Sequence, residues 1–162
     1  MTEYLDPDRA QFDAFKGLDR DTPLNMLNLV RLRDVADYPS DHALSGKGLS
    51  GDEAYKKYGA ASGTVLADVG GSSIWRGQFE TILIGPSDEA WDIMFIAHYP
   101  NAHAFLQMIT DPRYKQAVVH RQAAVITSRL IRSFDITAKS QVSRTAASAA
   151  TLSCHSGKIA IR

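Results

Sequence analysis

The chain has 162 residues, 18 basic and 18 acidic side chains, zero formal net charge and a single cysteine, Cys154. That length suits one domain able to bury its own core, and one cysteine excludes a disulfide framework or a cysteine-based metal site within one chain. Four basic residues (Lys139, Arg144, Lys158 and Arg162) and no acid follow Asp135, so residues 1–135 carry a net charge of −4, which gives no electrostatic reason to expect nucleic-acid binding. The opening MTEYLDPDRA lacks the basic start and apolar run of a signal peptide, and no stretch approaches 18 uninterrupted apolar residues. A cytoplasmic, non-membrane protein is therefore expected.

In chain order, residues 5–18 place Leu5, Phe12, Phe15 and Leu18 at helical spacings, with Asp6 or Pro7 as a start signal. They predict a short amphipathic helix within an N-terminal extension, residues 1–21, that packs across the domain. Residues 23–32 (PLNMLNLVRL) predict a strand with Met26, Asn28 and Val30 on one face and Leu27, Leu29 and Arg31 on the other. A strand apolar on both faces is covered on both. Residues 34–49 have the Pro, Gly, Ser and Asp content of a long loop, a length associated with function or disorder.

Ser50 and Glu53 form the S-x-x-E pattern of a capping box, which opens a helix from about Gly51 to Asp68 that Gly70-Gly71 ends. Residues 72–84 (SSIWRGQFETILI) read as a strand with Gly77 as a bulge, residues 85–87 (GPS) as a turn, and residues 91–99 (WDIMFIAHY) as the second arm of a hairpin. Asn101 can cap a helix through Ile109, and Asp111 with Pro112 opens its continuation to about Val125. Residues 126–134 alternate as a last strand, and residues 136–162 have the composition of a disordered tail.

The order β-α-β-β-α-β over residues 22–135 predicts an α+β, ferredoxin-like domain with a four-stranded antiparallel sheet and both helices on one face. The other sheet face is too apolar for water, so a second copy is expected to cover it.

GDEAYKKY (51–58), WRGQFE (75–80), WDIMFIAHYP (91–100) and TDPRY (110–114) continuing to Arg121 are similar to the DUF1330 family of the dimeric α-β barrel group over about residues 24–133. The resemblance implies a homodimer and a pocket between sheet and helices. It implies no known reaction, the family being one of unknown function, and the N-terminal helix, the 34–49 loop and the tail depart from its compact pattern.

Within that frame Arg121, at a position the resemblance marks, could hold an anion bidentately or form a structural ion pair. His98, in register with Met94 and Ile96, could serve as an acid or base, or as a neutral histidine bonded to backbone. These two are the candidate catalytic residues. Tyr58, Trp75, Arg76, Tyr114 and Asn28 are the candidate ligand-binding residues, although aromatics at helical spacing are more often core. His103 and His120 read as helix surface, and no histidine spacing points to a metal; no cofactor is expected, GKGLSG (46–51) lacking the spacing of a phosphate loop. Two functions compete: an uncharacterised homodimer that takes up a small apolar or aromatic molecule, and a cofactor-independent oxygenase or isomerase acting on a small aromatic or lactone-like metabolite.

Overall fold

The computed structural model describes residues 3–136, so nearly all of the expected 136–162 tail lies outside the described residues. Its elements are α1 (Arg9–Gly17), β1 (Leu24–Leu32), α2 (Gly51–Asp68), β2 (Ser72–Gly77), β3 (Ile93–Tyr99), α3 (Ala102–Thr110), α4 (Pro112–Ala124) and β4 (Val125–Ser133). The strands form one antiparallel sheet in the order β2-β3-β1-β4, the ferredoxin-like arrangement expected from the order of elements.

Each helix starts where a side chain can take the free backbone N–H groups of the first turn. Ser50 Oγ accepts from the Glu53 N–H while Glu53 Oε2 accepts from the Ser50 N–H, closing the capping box of α2. Asp8, rather than Asp6 or Pro7, caps α1 through the same reciprocal pair with Gln11. Asn101 caps α3 and Asp111 caps α4, whose first residue is Pro112.

Side-chain parity on the sheet decides what is covered. Leu24, Met26 and Val30 of β1 and Ala97 and Tyr99 of β3 are buried on one face, together with Ala54, Tyr55 and Val65 of α2, Ala104 and Met108 of α3, and Ala123 and Ala124 of α4. This is the helix face. Phe15 of α1 joins it, its ring centroid 5.0 Å from that of Phe105.

The opposite face carries Trp75, Ile96, Leu27 and Ile131 in one row across all four strands, with Met94 and Leu29 in the next. Trp75 is 45% exposed and Ile131 50%. This is the open face, and the two-sided apolarity of β1 is its cause.

Two features differ from expectation. The bulge in β2 falls between Ser73 and Trp75, not at Gly77. Gly77 instead leaves room for the Trp75 indole, since a Cβ there would lie 2.4 Å from the Trp75 ring. Second, the strand predicted over 72–84 ends at Gly77, and residues 78–92 form a connection without helix or strand.

The 34–49 loop has no regular element, but it is tied down. The Asp37 N–H donates to the Ala123 carbonyl, the Ala36 N–H donates to the Leu49 carbonyl, and the Tyr38 ring is buried.

Candidate functional site

The sheet alternation divides the seven candidate residues between its two faces. Arg76, Asn28 and the ring of Phe95 lie in one row on the helix face, through the pairs Arg76 with Phe95 and Asn28 with Phe95. Tyr58 of α2 and Tyr114 of α4 close over the same layer, their hydroxyls 3.2 Å apart. Trp75 and His98 are on the open face. The expectation of a pocket between sheet and helices near Tyr58, Trp75, Arg76, His98 and Arg121 is corrected accordingly: Trp75 and His98 are separated from the others by the thickness of the sheet.

The helix-face group is a tyrosine cluster. The Tyr55 and Tyr58 ring centroids are 5.3 Å apart and those of Tyr58 and Tyr114 are 6.2 Å apart, nearly perpendicular. Burial pushes the phenols of Tyr55, Tyr99 and Tyr114 well above the ordinary tyrosine value, so they stay protonated. In a hydroxyl-to-hydroxyl contact one hydrogen is used and one is left to donate, so the Tyr58–Tyr114 pair retains a donor. Asn28 spends its amide locally, donating to the Met26 carbonyl at 2.9 Å.

Arg76 is differently placed. Its guanidinium lies 5.7 Å from the centroid of Phe95, a cation-π contact, and it is exposed at the edge strand. Among the described residues it has no ion pair. With Gly77, Gln78, Asp92 and Ile93 it lines an open cavity of about 330 Å³. Asp92 is engaged by the Leu32 N–H, which donates to its Oδ2 at 2.7 Å.

The two residues expected to do chemistry are held by the fold. Arg121 donates to the Leu5 carbonyl at 2.9 Å and to Ser128 Oγ at 2.7 Å, with Asp6 at 3.9 Å, so it pins the segment before α1 onto β4. His98 Nδ1 lies 2.9 Å from Asn25 Oδ1, its cross-strand partner on the open face.

His120 does not lie on the helix surface as expected. Its Nδ1 is 2.8 Å from the Tyr38 hydroxyl, and its ring meets that of His42 edge-on at 5.8 Å. His42 in turn stacks on Tyr38 at 4.7 Å. Burial, then the nearby His42 and Lys57, hold the His120 pKa below the ordinary histidine value. Beside this cluster Asp37, Tyr38, Pro39, Val119, Gln122 and Ala123 line a second cavity of about 300 Å³. His103 is exposed and 3.5 Å from Asp21. Among the described residues no group of three histidine, cysteine or carboxylate side chains is placed to hold a metal ion, and no helix is long and apolar enough to cross a membrane.

Sequence reasoning missed Phe95 as the platform under Arg76 and Tyr38 as the partner of His120. Phe95 was within reach, since it shares its parity with the buried Ala97 and Tyr99. Tyr38 was not, because its burial depends on how a loop returns across α4.

A family model, the domain of unknown function DUF1330, matches residues 48–134. Among solved structures, the protein of unknown function RPA0582 from Rhodopseudomonas palustris is 50% identical, with a TM-score of 0.76 over 83% of this chain and 98% of that one. A methylated form of RPA0582 is 51% identical, with a TM-score of 0.77 over 84% and 97%. A dimeric protein of unknown function with a ferredoxin-like fold, from Bacteroides fragilis, is 15% identical with a TM-score of 0.43 over 70% and 96%. Among curated proteins no match is found.

Proposed function

The chain belongs to the DUF1330 family, and from that premise we propose that it is a homodimer whose protomers each bind a small aromatic carboxylate at Arg76. The observation that carries the reading is the exposed Arg76 guanidinium, stacked on Phe95, without an acid partner among the described residues and lining an open cavity. A guanidinium presents a planar fork that matches a carboxylate in two parallel hydrogen bonds. A ligand ring would extend from there toward Tyr58 and Tyr114, where the remaining hydroxyl hydrogen can fix its orientation. The proposal asks for binding, with no chemistry from His98 or Arg121.

Dimerisation is supported by the open face. Its two apolar rows, from Trp75 to Ile131 and from Met94 to Leu29, make a contiguous patch of the kind that marks an interaction surface.

The test is titration calorimetry with 1-naphthoate and with the neutral 1-naphthamide, alongside sedimentation of the unliganded protein. The expected result is a dimer that binds naphthoate and discriminates against the amide, with Arg76→Leu weakening naphthoate by about 10-fold or more, the scale of a lost charge-assisted hydrogen bond. Equal affinity of Arg76→Leu and wild type for naphthoate would remove the proposed site.

A further inference from the structure

We propose that the ligand of the Arg76 cavity is a zwitterion: an amino acid with an aromatic side chain, its carboxylate on Arg76 and its ammonium on Asp92. The inference rests on the carboxylate site proposed above and narrows the class of molecule that site takes.

The motive is a second unspent charge in the same cavity. Arg76 and Asp92 both line it, and both are exposed. Among the described residues they form no ion pair, with each other or with any other side chain. Each is anchored elsewhere. The Arg76 guanidinium rests on the Phe95 ring, 5.7 Å from its centroid. Asp92 is fixed just before β3, its Oδ2 accepting from the Leu32 N–H at 2.7 Å and its own N–H donating to the Val30 carbonyl at 2.8 Å. Its Oδ1 takes no hydrogen bond among the described residues. The cavity therefore offers a cationic fork and a carboxylate oxygen, both with hydrogen-bonding capacity to spare.

Electrostatics choose between an anion and a zwitterion. A simple carboxylate brings a second negative charge into the cavity beside Asp92, and that repulsion cancels part of what Arg76 supplies. An ammonium on the same molecule turns the repulsion into a second charge-assisted hydrogen bond, and cavity and ligand together become neutral. In an α-amino acid the two groups share one carbon. A carboxylate seated on Arg76 thus carries the ammonium into the same cavity, while the side chain stays free to run toward Tyr58 and Tyr114. Gln78 lines the cavity as well, and its amide, without a hydrogen bond among the described residues, can meet either group.

The experiment is titration calorimetry with the two enantiomers of 1-naphthylglycine and with 1-naphthylacetate, which differ by the ammonium group alone, on wild type, Asp92→Asn and Arg76→Leu. Asparagine keeps a carbonyl oxygen for the Leu32 N–H, and thermal melting of the unliganded variants checks their fold. Wild type is expected to bind the better naphthylglycine enantiomer about 10-fold more tightly than naphthylacetate, the scale of one charge-assisted hydrogen bond. Asp92→Asn is expected to cut that preference to within about threefold by weakening naphthylglycine, and Arg76→Leu to weaken both ligands. Wild type that binds the two within about threefold overturns the zwitterion without recourse to any variant and leaves the carboxylate site standing. So does a folded Asp92→Asn that keeps the full preference. Wild type that binds neither ligand overturns both, as does an Arg76→Leu that binds them as tightly as wild type.

Discussion

Gly51 is the first residue of α2, where helix propensity favours alanine over glycine by up to about 1 kcal/mol, yet Gly51→Ala should be strongly destabilising. A Cβ built at that position lies 2.2 Å from the Arg33 carbonyl oxygen and 2.9 Å from both the Ala124 carbonyl oxygen and the Arg33 nitrogen. All three are backbone atoms and cannot swing away. They also belong to the junction that joins three elements, since the Gly51 N–H donates to the Arg33 carbonyl at 3.1 Å and the Arg33 N–H to the Ala124 carbonyl at 2.8 Å. Overpacking costs about 1–3 kcal/mol, and separating one of these hydrogen-bonded pairs about 1 kcal/mol more. Set against the propensity gain, the net expectation is a loss of about 1–3 kcal/mol, or roughly 5–10 °C in Tm for a domain of this size. Gly59→Ala and Gly63→Ala are the controls: they lie in the same helix, and a Cβ at either meets nothing within 4 Å. Each should gain about 0.5–1 kcal/mol. Urea denaturation of the four proteins, with the slope unchanged, measures the series. A Gly51→Ala variant as stable as wild type would refute the packing argument.

Arg121→Met should free the segment around Leu5 without unfolding the domain, at a cost of about 1–3 kcal/mol for the lost bonds to the Leu5 carbonyl and Ser128. Hydrogen exchange at residues 4–6 reads it, and unchanged protection there would show that Arg121 is not the pin. His120 is held neutral by burial and by the neighbouring His42 and Lys57, with Tyr38 on its Nδ1. Its folded pKa lies below the unfolded value, so the unfolded chain takes up the proton first. Stability should therefore fall as pH drops below about 6.5 and level off once the folded form also protonates. His120→Gln should remove that part of the slope in urea midpoints measured from pH 7.5 to 5, and an identical slope in the variant would exclude His120 as its source.

The sequence carried the features that are local. Ser50 with Glu53 marks the start of α2 because both ends of the capping box lie within four residues, and Asp111-Pro112 marks the break between α3 and α4 for the same reason. The faces of β1, and of β4 from Thr127 to Ser133, were legible from alternation, which the irregularity opposite Arg31 and Leu32 breaks at the start of β4. The end of β2 was not, because FETILI has the preferences of a strand and the protomer offers it no neighbour to pair with. Nor was the setting of His120, which depends on the 34–49 loop returning over α4 through the Asp37 to Ala123 hydrogen bond.

The division of the candidate site has a sharper cause. Trp75 and Arg76 are consecutive in a strand, so they must point to opposite faces, and no single pocket bounded by one side of the sheet can include both. Which one faces the helices is decided by the bulge at Ile74. Ser73 pairs with Ala97, and an unbroken ladder would set Trp75 against Phe95 and Arg76 against Met94, placing the indole under the helices and the guanidinium on the open face. The extra residue shifts the register so that Trp75 pairs with Ile96 and Arg76 with Phe95. One inserted residue therefore moves the apolar ring to the face proposed for the second copy and the cation to the face with the tyrosines. The proposed binding site and the proposed interface are two consequences of the same bulge.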